Sequence, residues 1–228
     1  MKDFKNTYRQ HKIFFTGLLL FFVVIISMLF FSFSPAAIIS SSAYHSFWMN
    51  VFFVNYTFFG NGIFALSLAV ICIFYFKKKQ TGISILISFL LSFILIQFLK
   101  NIFTASAPAF FTEPLQHLFF NEPATGKFSF ISPSSYTATA FSIAAILALN
   151  SKSVLYQLLL LTAAVLVGYS RIYLVQNSGI DILAGAIAGS VSGIVVFSVV
   201  KSRALIKEGI VQLHKINNAA NIAEIQPG

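Results

Sequence analysis

Four side chains in this sequence suit an oxyanion by type and position: Lys100, Ser134, Ser135 and Arg171. A guanidinium presents a planar fork that matches phosphate oxygens, and an ammonium adds a compact point charge. Ser134 and Ser135 directly precede an apolar run, where hydroxyls cap exposed helix amides and those amides favour an anion. Asn177 and Asp181 stand four apart at the start of another apolar run and so share a helix face. A carboxylate beside lipid needs a partner, and Asn177, Arg171 and Lys100 are the candidates for Asp181. Each residue also has a plainer reading. Lys100 and Arg171 suit interfacial anchors whose long stems reach toward headgroups, and Ser134 suits a helix cap.

What joins these residues is their arrangement in three segments. The first is Lys100-Asn-Ile-Phe-Thr-Ala-Ser-Ala107-Pro108, the second Pro133-Ser134-Ser135-Tyr136, and the third Ser170-Arg171 followed by Asn177 and Asp181. In order and spacing they resemble the three phosphate-site motifs of the type 2 phosphatidic acid phosphatases. Those motifs are a lysine with Arg-Pro after six residues, Pro-Ser-Gly-His, and Ser-Arg with His after five residues and Asp after three more. The resemblance covers about Ile83 to Val200. It implies a membrane-embedded helical bundle that binds a lipid phosphate or pyrophosphate through Lys100, Ser134, Ser135 and Arg171, with no cofactor and no metal. The departures are as specific as the matches. Ala107 stands at the family's arginine, Ser135 at its glycine, Tyr136 at the proton-donating histidine and Asn177 at the nucleophilic histidine. An amide has no lone pair comparable to imidazole's, and a phenol with an ordinary pKa near 10 is a poor acid at neutral pH. The missing arginine removes a charged hydrogen bond worth roughly 1.5–3 kcal/mol. In the family Asp181 would orient the attacking histidine; here it would orient only an amide. The resemblance thus implies a pseudophosphatase that keeps a weakened phosphate pocket.

The elements that must position these segments are membrane spans. Hydrophobic residues make up 57% of the chain, charged residues 9%, and there are 28 Phe, which places it among integral membrane proteins. Apolar runs approaching the length that crosses a roughly 30 Å hydrocarbon layer lie at Ile13–Phe33, Val51–Phe76, Ile83–Leu99, Ala138–Leu149, Val154–Val167 and Ile180–Val200. The fold expected is all-α, with six transmembrane helices. Lys2, Lys5, Arg9, Lys12, Lys77, Lys78, Lys79, Lys152, Lys201, Arg203, Lys207 and Lys215 then fall on one face, the cytoplasmic one by the positive-inside rule. Both termini are cytoplasmic, and the motifs, with Lys127, face outward. Residues 1–200 form one membrane domain, with an outward cap loop at 101–132 and the motif region at about 83–200. Residues 201–228 form a basic amphipathic tail helix to Ile216 and a disordered end from Asn217. The first run exceeds a secretory signal's apolar core, so it reads as an uncleaved span rather than a leader ending at Ala37.

The net charge of +9 is distributed beside apolar spans, which points to anionic headgroups rather than nucleic acid. Cys72, the single cysteine, permits no internal disulfide. His11, His45, His117 and His214 form no metal-ligand cluster. Trp48 and Tyr44 suit the outer interface, and Phe110-Phe111 with Leu118-Phe119-Phe120 suit an apolar wall of the cap loop. Gly185, Gly189 and Gly193 recur at every fourth position and admit a close helix neighbour, within the bundle or in a homodimer or other membrane partner. Two alternatives to the pseudophosphatase stand: an active lipid phosphatase (phosphatidate, phosphatidylglycerol phosphate or undecaprenyl diphosphate) using activated water or His117, and a structural subunit of a membrane complex. A short six-span chain of this kind is expected in a bacterial inner membrane, with its site facing the periplasm or the exterior.

Overall fold

The computed structural model describes residues 7–31, 46–103, 132–174 and 176–225, with the backbone alone for 31, 103 and 204–225. Every element among them is helical: α1 (Lys12–Phe31), α2 (Phe47–Thr57) with a 3₁₀ turn (Phe58–Gly60), α3 (Gly62–Phe74), α4 (Lys79–Phe103), α5 (Ser135–Leu149), α6 (Val154–Tyr173) and α7 (Gly179–Ile225). Four of them, α1, α4, α6 and the first part of α7, are long and apolar enough to cross a membrane, and the α2–α3 pair would make a fifth. Ala107, Lys127, His45, His117, Tyr44 and the expected apolar wall lie outside the described residues.

α5 is the axis of the bundle. Twelve of its 15 residues are buried, because a helix apolar on every face has nowhere else to be satisfied than among other helices. Its sequence of Ala, Ser and Thr lets α4, α6 and α7 approach closely. At 15 residues it is about 22 Å long, shorter than the hydrocarbon layer, so its polar N-terminus is held within the bundle rather than beyond it.

The glycine stripe of α7 is occupied by this same helix. A Cβ on Gly185 would lie 2.5 Å from the Ser134 carbonyl oxygen, one on Gly193 2.5 Å from the Ala145 Cβ, and one on Gly189 would collide with the Ala138 carbonyl. The homodimer or protein interface expected at Gly185, Gly189 and Gly193 is therefore corrected: these glycines seat α7 on α5 of the same chain, leaving no such face for a partner.

The second expected span, Val51–Phe76, is broken. α2 and α3 meet at an angle of 57°, and Asn61 caps α3 by accepting a hydrogen bond from the Ile63 amide at 3.1 Å. The Gly60-Asn61-Gly62 run carries the break because a glycine-flanked Asn favours a cap over a continuous helix. Gly60 is tight against α5: a Cβ there would come within 2.6 Å of the Tyr136 carbonyl oxygen. Lys77 turns the chain from α3 into α4 in the left-handed region, φ 54°.

The short apolar run Val154–Val167 is lengthened by motif residues, since α6 extends to Tyr173 and takes Ser170 and Arg171 into its last turn; one further boundary differs from expectation. α7 continues without interruption to Ile225, so the disorder expected from Asn217 is replaced by helix through that residue; no Gly or Pro interrupts the chain there except Gly209, which a helix tolerates at about 1 kcal/mol.

Candidate functional site

The start of α5, the end of α6 and the start of α7 converge at one end of the bundle. Ser134 is the N-cap of α5 and is 3% exposed. Its hydroxyl accepts from the Thr137 amide at 3.3 Å and from the Thr137 hydroxyl at 3.0 Å. The capping reading of Ser134 thus holds. The amides of Ser135 and Tyr136 lie in the first helical turn, where no intrahelical carbonyl reaches them, so their partial positive charge is directed out of the helix end.

Arg171 reaches this helix end from α6. Its guanidinium carbon lies 4.3 Å from the centroid of the Tyr136 ring, and its Nε donates to Asn177 Oδ1 at 3.1 Å. Asn177 in turn donates through Nδ2 to the Ser132 carbonyl at 3.2 Å. The amide's orientation is forced, since a guanidinium only donates and a carbonyl only accepts. The two positions expected to be impaired therefore both engage Arg171: Tyr136 supplies a flat ring under it and Asn177 fixes its Nε. Among the described residues the remaining guanidinium donors are not engaged.

Asp181 is 6% exposed and does not orient Asn177. One oxygen accepts from the Ser132 amide at 2.7 Å; the other accepts from the Ser178 amide at 2.9 Å and the Ser178 hydroxyl at 2.8 Å. The Asp181 amide donates back to the Ser178 hydroxyl at 3.3 Å, and the Ile182 amide donates to the Ser178 carbonyl. This is a reciprocal capping box at the start of α7. The Asp181 carbonyl also accepts from the Ser134 amide at 3.0 Å. Asp181 thus joins the segment entering α5 to the start of α7, and neither Arg171 nor Asn177 is its partner.

Lys100 occupies the last turn of α4. Leu99 beside it packs with Ile96, Ala138 and Ala188, about one helical turn from Ser134, so the structure brings Lys100 to the same end of the bundle. Sequence reasoning missed three contributors. Ser132 holds Asn177 through its carbonyl and Asp181 through its amide. Ser178 was legible as the first residue of Ser178-x-x-Asp181, a capping-box pattern. Thr57, just before the break, shares a 2.7 Å hydrogen bond with Ser170 in a buried contact, and no local signal links residues so far apart in the chain. Among the described residues no group of His, Cys, Asp or Glu could hold a metal ion.

The sequence profile of the PAP2 superfamily matches residues 81–204. This chain belongs to the PAP2 superfamily. The matched stretch contains all three motif segments and runs from α4 into α7. Two solved structures are similar in fold. Aquifex aeolicus LpxE is 24% identical, with a TM-score of 0.58 over 72% of this chain and 96% of that one. The transmembrane PAP2-type phosphatidylglycerolphosphate phosphatase of Bacillus subtilis is 24% identical, with a TM-score of 0.53 over 83% of this chain and 94% of that one. No curated protein matches the sequence. Membership and the apolar helices together make this a multi-pass membrane protein of the PAP2 superfamily.

Proposed function

We propose that this PAP2 protein binds a lipid phosphate or pyrophosphate at the motif end of the bundle and does not hydrolyse it. Lys100, Arg171, Ser135 and the first-turn amides of α5 bind the anion, and Ser134 shapes that helix end. The observation that carries the reading is the use of Asn177: its oxygen is engaged by Arg171 and its nitrogen by the Ser132 carbonyl. A nucleophile needs a basic lone pair facing phosphorus; the amide nitrogen's pair is delocalised into its carbonyl, and the oxygen is turned to Arg171. Tyr136 under the guanidinium pre-organises Arg171 for binding, which favours affinity over turnover. The Bacillus subtilis fold relative is a phosphatidylglycerolphosphate phosphatase by its description, which makes a phosphorylated glycerolipid the first ligand to test.

The topology that goes with this reading has six crossings, counting α2–α3 and the short α5 as one each. Both termini are then cytoplasmic, residues 1–200 form the membrane domain and residues 201–228 a basic tail. The cytoplasmic membrane of a bacterium, with the motif end toward the periplasm, suits the lysine distribution.

Phosphate release from phosphatidate, phosphatidylglycerol phosphate and undecaprenyl diphosphate tests the proposal directly. The unmodified protein should release none, while a variant carrying Ala107→Arg, Tyr136→His and Asn177→His should gain activity. Turnover by the unmodified protein would refute the reading.

A further inference from the structure

At the other end of the bundle, about 22 Å away along α5, lies a cavity of about 280 Å³ with polar and basic side chains set among Leu149, Phe197 and Val200. Its wall includes His11, Gln80, Asn150, Ser151, Lys152 and Lys201, and among the described residues no acidic side chain lines it. Its volume lies just below the range of about 300–1,000 Å³ for drug-sized ligands, which suits a small headgroup or ion. Every helix that contributes changes from apolar to polar at this level: α1 begins at Lys12, α4 at Lys79, the α5–α6 turn carries Lys152, and α7 passes Lys201. The cavity therefore sits where a lipid phosphate would lie.

The wall is built rather than incidental. Gln157 on α6 is 1% exposed. Its amide nitrogen donates to His11 Nδ1 at 3.0 Å and to the Ser151 carbonyl at 2.8 Å. One buried side chain thus fixes the imidazole ahead of α1 and the turn that bears Lys152. A His11 that accepts through Nδ1 keeps its proton on Nε2, so the ring adds a neutral donor to the wall. The Phe197 ring packs edge-on to His11 at 6.4 Å between centroids and carries the Lys201 ammonium 5.5 Å from its own centroid. Two ammonium groups with amide and hydroxyl donors, and no acid among the described residues of the lining, suit an anion with several acceptor oxygens.

We infer that this cavity is a second anion site, distinct from the motif end, taking a phosphate-bearing group in the plane of the opposite membrane surface. It recruits either an anionic lipid headgroup or a soluble phosphate compound. The site is independent of the binding proposed at Arg171, so either can fail alone.

The test counts bound ligand by native mass spectrometry of the purified full chain. Dioleoyl phosphatidylglycerol or dioleoyl phosphatidylcholine is added in an Arg171→Gln background that silences the motif end. One phosphatidylglycerol should remain bound in preference to phosphatidylcholine. Adding Lys152→Gln and Lys201→Gln should weaken it by about tenfold or more, whereas Lys152→Arg with Lys201→Arg should retain it. Displacement by millimolar inorganic phosphate would identify a soluble phosphate ligand, and persistence would identify a headgroup held also by its chains; both outcomes support the site. Equal binding of the two lipids, or phosphatidylglycerol binding unchanged by the paired Gln variant, would overturn it.

Discussion

Replacing Asp181 with Ala separates the role seen in the structure from the role its motif implies. As an orienter of residue 177, Asp181 would act through Asn177, and the two substitutions would have comparable effects. As the capping-box residue of α7, it accepts three hydrogen bonds, from the Ser132 amide, the Ser178 amide and the Ser178 hydroxyl. Hydrogen bonds to a charged group contribute about 1.5–3 kcal/mol each, so simple addition gives about 5–9 kcal/mol. The bonds share one cluster and are not additive, and water can reach donors at a helix end, which reduces the expectation to about 3–4 kcal/mol. Asn177→Ala removes a half-buried amide with two hydrogen bonds and should cost about 1–2 kcal/mol. Asp181→Asn keeps an acceptor oxygen and should fall between them. Equilibrium unfolding in mixed micelles, titrated with a denaturing detergent, gives the three free energies. Hydrogen exchange at the Ser132 and Ser178 amides locates the loss. An Asp181→Ala cost no larger than that of Asn177→Ala, with those two amides still protected, would refute the capping assignment.

Three other expectations follow from single contacts. Arg171→Gln should weaken binding of a lipid phosphate at the motif end by at least about tenfold, with Arg171→Lys intermediate because the fork is lost and the charge kept; a lipid-binding titration decides this. Gly189→Ala places a methyl group against the Ala138 carbonyl, and the resulting helix displacement should lower stability by about 1–3 kcal/mol, read in the same unfolding assay. His11 sits outside the spans with its pKa lowered from 6.5, by burial first and by the Lys201 charge second. A folded-state pKa below the unfolded value means that its contribution is fully present above pH 6.5 and is lost as the pH falls through the lowered value. Unfolding midpoints of the unmodified protein should therefore drop on going from pH 7.5 to mildly acid conditions, and His11→Asn should flatten that dependence.

The amino-acid sequence determined the class of this protein and the ends of its site. Apolar runs between clustered lysines specify membrane helices regardless of how those helices meet, because hydrocarbon accepts only internally satisfied backbone. The spacing of Lys100, Ser134 and Arg171 marked the residues that converge: Ser134 caps a helix N-terminus, where an anion is favoured, and Lys100 and Arg171 stand in the last turns of their helices, where a cation is favoured. The α2–α3 break was also written locally, in Gly60-Asn61-Gly62, although hydropathy alone read through it as one span. Tertiary structure decided what these residues do to one another. That Tyr136 lies under Arg171, that Asn177 is held at both ends, and that Asp181 ties Ser132 to Ser178 depend on three chain segments meeting. A side chain's hydrogen bonds are chosen among neighbours that only packing supplies. The glycine stripe is the clearest instance: its spacing announced a close helix neighbour, and only the fold identified that neighbour as α5.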